Sequence, residues 1–259
     1  MLPTIFLYII IFLYGIVIGS FLNVCIYRIP NKENIVSTGS HCMKCGCQLK
    51  WYDLIPVFSY LVLGGRCRKC KERISVQYPL IEMLNGCLYL LVFYRFGMSV
   101  DSLLYCLLFS ALLTLSVIDF RTYEIPPGIN WFIFGLGLIR VITDLTHWLD
   151  YAVGLLSVSV FLFLLIIITK GRGMGGGDMK LMAGTGIVLG WKCNILAFLL
   201  GCIIGSVVHL LRMKLTKEGH VLALGPYLAV GVAIAILWGE KLIAWYMGFL
   251  GIGNISGLY

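Results

Sequence analysis

The chain has 259 residues, of which 60% are hydrophobic and only 12% charged, with a net charge of +8. A soluble domain of this length cannot bury so much apolar surface, so the composition excludes a soluble protein and implies an all-α polytopic protein seated in a lipid bilayer. The positive charge is concentrated: nine Lys and Arg fall between Arg28 and Arg73, with no nucleic-acid recognition motif beside them, so they read as a solvated loop near anionic headgroups and nucleic acid is not an expected partner.

Leu2 to Ile26 carries no charge and is long enough to span a bilayer with some tilt. It lacks the basic start and short apolar core of a cleavable signal, so it reads as a retained first helix. Pro30 stops the helix, and Tyr27 and Arg28 suit the membrane interface. Residues 31–77 then turn polar, basic and cysteine-rich. A 47-residue insert has little core and needs a staple, which Cys42-x2-Cys45 and Cys67-x2-Cys70 supply. Two such pairs separated by 21 residues resemble a zinc ribbon with a slightly long gap, and Cys47 is a further candidate ligand in place of Cys45.

Residues 78–259 read as a helical bundle with apolar spans near 79–96, 101–119, 128–146, 151–169, 179–191, 193–212 and 225–247. With the first helix that makes about eight spans. The span at 179–191 is short, which suits either a helix packed inside the bundle or one starting below the headgroups. Gly184, Gly186, Gly201 and Gly205 point to close helix packing. The expected organisation is therefore a first helix over 1–30, a cysteine-rich zinc domain over 31–77 and a helical bundle over 78–259.

With the first loop on the cytoplasmic side, Arg121, Lys170, Arg172, Arg212, Lys214 and Lys217 fall on that side too. Arg95, Lys192 and Lys241 fall opposite, with Asp101, Asp144, Asp150 and Glu240. The positive-inside rule then sets the N-terminus outside. The cysteines lie in the reducing compartment, which favours zinc over disulfides. Asp119 and Asp178, each at the end of an apolar span, share the cytoplasmic depth.

An ionisable group at membrane depth costs about 2.5–3.5 kcal/mol on insertion scales and marks a functional site by default. Asp178 follows Gly175-Gly176-Gly177 and opens a helix, where the helix dipole favours an anion; Asp119 closes a helix, where nothing local rewards a charge. One ionised and one protonated aspartate is the state that activates water and polarises a carbonyl, the chemistry of aspartyl proteases. Gly175 and Gly177 let a backbone approach closely. Lys180 is a cation that snorkels to the interface or meets a substrate acid, and Glu82 is a third acid at membrane depth. His41, His147, His209 and His220 lack metal-ligand spacing, which argues against an intramembrane metalloprotease.

These residues resemble the bacterial type IV prepilin leader peptidases, in the GxGD class of intramembrane aspartyl proteases. The resemblance runs through Gly19-Ser20-Phe21-Leu22-Asn23-Val24 with Tyr27-Arg28, Trp51-Tyr52-Asp53-Leu54-Ile55-Pro56-Val57 and Gly65-Arg66-Cys67-Arg68-x-Cys70. It continues through Tyr78-Pro79-Leu80-Ile81-Glu82, Asp119 with Ile125-Pro126, Gly175-x-Gly177-Asp178-x-Lys180-Leu181 and Gly225-Pro226. Two departures are Pro127, where an acid or amide is frequent, and Leu222-Ala223-Leu224 before Gly225, where a proline and an aromatic are common. The resemblance implies an inner-membrane endopeptidase that removes the basic leader of prepilins or pseudopilins after a glycine, on the cytoplasmic side. Members with the cysteine loop also methylate the new N-terminus with S-adenosylmethionine. No residue in the sequence marks a methyl-donor pocket, and none fixes an oligomeric state or the particular pilin-like substrate. Two other classes compete with this reading. An ion or proton transporter would use the same aspartates with a regulatory zinc domain, and a thiol oxidoreductase would need its CxxC pairs on the oxidising side.

Overall fold

The computed structural model describes residues 2–36, 39–171, 174–216 and 222–249. Arg172 and Lys217 of the charge count, with His220, lie outside the described residues. The chain divides into two compact units, residues 1–118 and 119–259, with the boundary inside one long helix.

Unit 1 is built on α1 (Leu2–Arg28), α3 (Gln77–Phe96) and the body of α4 (Val100–Thr122), with the cysteine-rich segment and the short α2 (Phe58–Val62) between α1 and α3. α1 and α3 pack through missing side chains. A Cβ on Gly15 would come within 2.7 Å of Gly86 Cα, and one on Gly19 within 2.7 Å of Glu82 Cα. The Asn85 amide donates to Gly15 O at 2.7 Å, and Asn23 donates to Tyr78 O at 3.1 Å. Close backbone approach sealed by amide side chains is how helices associate where lipid removes the hydrophobic drive. The glycine and asparagine of the N-terminal signature thus hold α1 against α3. Arg28, which suits a membrane interface, turns onto the backbone of its own unit. It is buried, with its guanidinium donating to the carbonyls of Asn34, Ile35 and Gly39.

Unit 2 comprises α5 (Pro127–Thr143), α6 (Trp148–Ser157), α7 (Ser159–Ile168), α8 (Gly176–Leu189), α9 (Trp191–Thr216) and α10 (Gly225–Phe249), and it includes Asp119 and the final turn of α4. α8 is the central helix, touching α5, α6, α7, α9 and α10. Its 14 residues reach only about 21 Å, short of a bilayer's hydrocarbon core of about 30 Å. It packs inside the bundle: Leu181, Met182, Gly184, Thr185, Gly186, Ile187 and Val188 are all buried. Gly184 lies against Ile133, and the Gly186 and Gly154 backbones touch so closely that neither position has room for a Cβ. Gly201 and Gly205 likewise abut Leu228 and Tyr227 of α10. The expected span at 151–169 is two helices broken at Val158. Ser157 and Ser159 turn their hydroxyls back onto the carbonyls of Gly154 and Leu155, and such back-bonding bends a helix.

Among the described residues six helical stretches are long and apolar enough to cross a membrane, and α5 is a shorter apolar helix. With α8 this agrees with the roughly eight spans read from sequence. Large apolar side chains such as Phe6, Tyr14, Trp131 and Ile168 face outward, the pattern of helices solvated by lipid.

Candidate active site and metal centre

Asp119 lies in the last turn of α4, 4% exposed. The expectation that nothing local rewards a charge there is corrected: its Oδ2 accepts the Gly225 N–H at 2.9 Å. Gly225 is the first residue of α10, whose free amides and positive dipole end favour an anion. Pro226 follows, at a position where its missing N–H leaves no donor unmet. Sequence reasoning gives Gly225 as part of a Gly-Pro motif but misses its contact with Asp119. The motif marks a helix start, but the group that start faces is 106 residues away in sequence.

Asp178 is the third residue of α8, and Gly175 caps that helix. The carboxyl turns back toward the Gly175 amide, half of a capping box, so Asp178 is not itself the cap. The two aspartates are within electrostatic reach of one another. Asp119 closes α4 and Asp178 opens α8, as expected, but Asp119 also faces the N-terminus of α10, so each carboxylate has a helix-terminal amide beside it.

The three glycines before Asp178 are not equivalent. A Cβ at Gly177 would meet Ile125 Cβ at 3.0 Å, one at Gly175 would lie 3.5 Å from Asp178 Oδ2, and one at Gly176 would enter open space. Gly177 is also held through its carbonyl, which accepts the Asn130 amide at 3.2 Å. Asn130 is buried, and its Oδ1 has no hydrogen-bond partner among the described residues. Ile125 and Asn130 therefore seat the α4–α5 connection on the start of α8. Pro127, one of the departures from the family pattern, stands in the first turn of α5, where its fixed φ suits helix initiation. Lys180 is exposed on α8, and Arg212 lies over the Phe120 ring at 5.8 Å.

Glu82 is in the other unit. It is 5% exposed on α3, accepts the Val57 N–H at 2.7 Å and interacts with the Ser20 hydroxyl.

The cysteine segment contains two matched loops. Cys42 N–H donates to Cys47 O and Gly46 N–H to Cys42 O; four residues apart in the same way, Cys67 N–H donates to Glu72 O and Lys71 N–H to Cys67 O. Gly46 and Lys71 occupy the equivalent left-handed position, at φ 66° and 60°. Isolated bridges, His41 with Gln48 and Arg66 with Arg73, close each loop. The Sγ atoms of Cys42, Cys45, Cys67 and Cys70 all lie within 4.8 Å of one another. The Cys42–Cys70 separation of 3.7 Å matches the edge of a tetrahedron with metal–sulfur bonds of about 2.3 Å, roughly 3.8 Å. Cys47 sits beside this group, 3.3 Å from Cys45. Backbone amides of Cys70 and Lys69 hold the Cys67 thiol down at about 6, favouring the thiolate that binds metal. The loops are braced by Asp53, which accepts Arg68 Nε at 2.8 Å while Arg68 lies over the Tyr52 ring.

Helices of membrane-crossing length, two carboxylates at helix ends within one unit and, in the other unit, four thiols close enough to hold a metal ion define a polytopic helical membrane protein with a candidate carboxylate site and a candidate metal site. Residues 13–96 match the bacterial peptidase A24 N-terminal domain, and residues 106–210, which contain both aspartates, match the type IV leader peptidase family. The chain is 34% identical to a prepilin leader peptidase/N-methyltransferase of Pseudomonas putida, over 92% of each chain. It is 34% identical to one of Bacillus subtilis, over 92% of this chain and 97% of that one. With the Legionella pneumophila protein of the same name it shares 30% identity over 94% of this chain and 96% of that one. The chain belongs to the prepilin leader peptidase/N-methyltransferase family, and is an enzyme pairing peptidase and methyltransferase. No solved structure matches it.

Proposed function

We propose that Asp119 and Asp178 cleave the leader from prepilins or pseudopilins after a glycine, on the cytoplasmic face of the inner membrane. The observation that carries this is that the two carboxylates lie within electrostatic reach of one another in one unit, each with a helix-terminal amide beside it. One carboxylate takes a proton from a water between them, and the other, protonated, donates to the scissile carbonyl. The tetrahedral adduct collapses, the C–N bond breaks, and the proton passes to the leaving amine. Gly175 and Gly177 shape the turn that presents Asp178, and Lys180 meets interfacial or substrate acids.

Residues 31–77 serve as a domain stapled by structural zinc on Cys42, Cys45, Cys67 and Cys70, a donor set that fits the metal. The new N-terminus is then methylated. S-adenosylmethionine, when bound, supplies an electrophilic methyl group on a positively charged sulfur. The charge asymmetry of the loops supports the N-terminus outside, with the cysteine domain and aspartates inside.

Mass spectrometry of a prepilin co-expressed with the wild type and with Asp178→Asn tests the reading. Loss of the leader in the wild type alone is expected, with a slowing of about 10²–10⁴-fold in the variant, and a further methyl mass reports the second activity. Cleavage by a folded Asp178→Asn or Asp119→Asn protein at normal abundance would sink the carboxylate-pair mechanism.

A further inference from the structure

Unit 1 contains a cavity of about 490 Å³, lined entirely by residues 20–82, from the end of α1 through the cysteine loops to the start of α3. That volume is in the range of roughly 300–1,000 Å³ that small-molecule sites occupy. Its walls carry the parts a cationic nucleoside needs. Tyr27, Tyr60 and Tyr78 line it, and aromatic rings attract cations and stack on bases. Asn23 adds a side-chain amide. Glu82 adds a buried carboxylate, whose two donors, the Val57 amide and the Ser20 hydroxyl, leave lone pairs over.

The backbone at the same wall is strained. Val57 sits at φ 60° and ψ −51°, with Phe58 N–H donating to Pro56 O at 2.5 Å, a γ-turn that a β-branched residue rarely adopts. Such strain persists where the surroundings over-determine it, typically at ligand sites. Here the Glu82 carboxylate fixes the strained amide.

We propose that this cavity is the methyl-donor site. It takes S-adenosylmethionine, with Glu82 facing its positive charge and the tyrosines its aromatic and apolar parts; this rests on the methyltransferase reading above. Methyl transfer breaks a C–S bond, forms a C–N bond to the new N-terminal amine, leaves a neutral thioether and releases one proton to water.

The test is S-adenosylmethionine binding to the full zinc-loaded protein in nanodiscs, measured by calorimetry. Glu82→Gln keeps an acceptor for the Val57 amide but removes the charge, and Ser59→Phe fills the cavity from α2. Each should weaken binding about tenfold or more while zinc content and unfolding temperature hold. In the wild type, the donor should also slow amide exchange over 20–28 and 56–60. Binding within twofold of wild type in both variants, or protection confined to 119–130 and 175–190, overturns the assignment. A wild type that neither binds the donor nor methylates a cleaved prepilin overturns the methyltransferase reading along with it.

Discussion

The two units hold their polar groups in place by different means. Unit 2 uses backbone: its carboxylates are supported by the amides of Gly225 and Gly175, and its central helix is seated by glycines with no room for a Cβ. Unit 1 uses side chains: four thiols converge, Asp53 grips Arg68, Arg28 gathers three loop carbonyls and Glu82 clamps a strained turn. Backbone support survives most substitutions at the residue that provides it, since every residue but proline brings the same amide, and fails where a new Cβ has no room. Side-chain support can be removed one group at a time. The contrast predicts that damage in unit 2 is sharply position-dependent, and that damage in unit 1 is graded and tied to metal.

The largest effect that would sharpen the contrast is loss of the metal. Structural zinc binding is worth about 10–16 kcal/mol in small domains. Chelation, or Cys67→Ser, should abolish stoichiometric zinc and raise amide exchange across 41–73 while 176–189 stays protected. Equal loss of protection in both segments would break the division, and normal zinc content in Cys67→Ser would overturn the ligand set.

Within unit 2, neighbouring glycines should differ. Gly177→Ala presses on Ile125 and should slow leader cleavage about tenfold, as a misplacement of catalytic groups by well under 1 Å can. Gly176→Ala enters open space and should stay within about twofold of wild type. Equal rates in the two variants would show that the Gly177–Ile125 contact does not position Asp178.

A smaller effect is expected at Asn130, which holds Gly177 O. Asn130→Ala removes one part-buried hydrogen bond, worth about 1 kcal/mol. The fall should appear in kcat rather than KM if the amide positions Asp178, and a change confined to unfolding temperature would reduce its role to packing.

The smallest effect tests the matched cysteine loops. Lys71 stands at φ 60° where its counterpart is Gly46. Left-handed backbone costs an L-residue about 1–2 kcal/mol, partly offset by glycine's entropy when unfolded. Lys71→Gly should therefore raise the metal-loaded unfolding temperature slightly, and a lowered one would show that the Lys71 side chain stabilises its loop.

Much of this was legible in the sequence because it depends on residue type and local period. Apolar runs gave the spans, with their ends within a few residues; cysteine spacing gave the four-thiol cluster; and ionisable residues at the ends of apolar runs gave Asp119 and Asp178. The close-packing glycines of α8 and α9 were readable for the same reason, since a missing side chain in a lipid-facing bundle has few other uses. Tertiary structure alone decided what each of these meets. It brought the Gly225 amide to Asp119, tied Asn130 to Gly177, placed Glu82 in a unit apart from the aspartates and gave Val57 its strained turn. Those pairings join positions 25 to 106 residues apart, and local sequence carries no information about which backbone group a distant side chain will face. The helix starts and the acids are written in the chain, but only folding sets which helix start supports which acid.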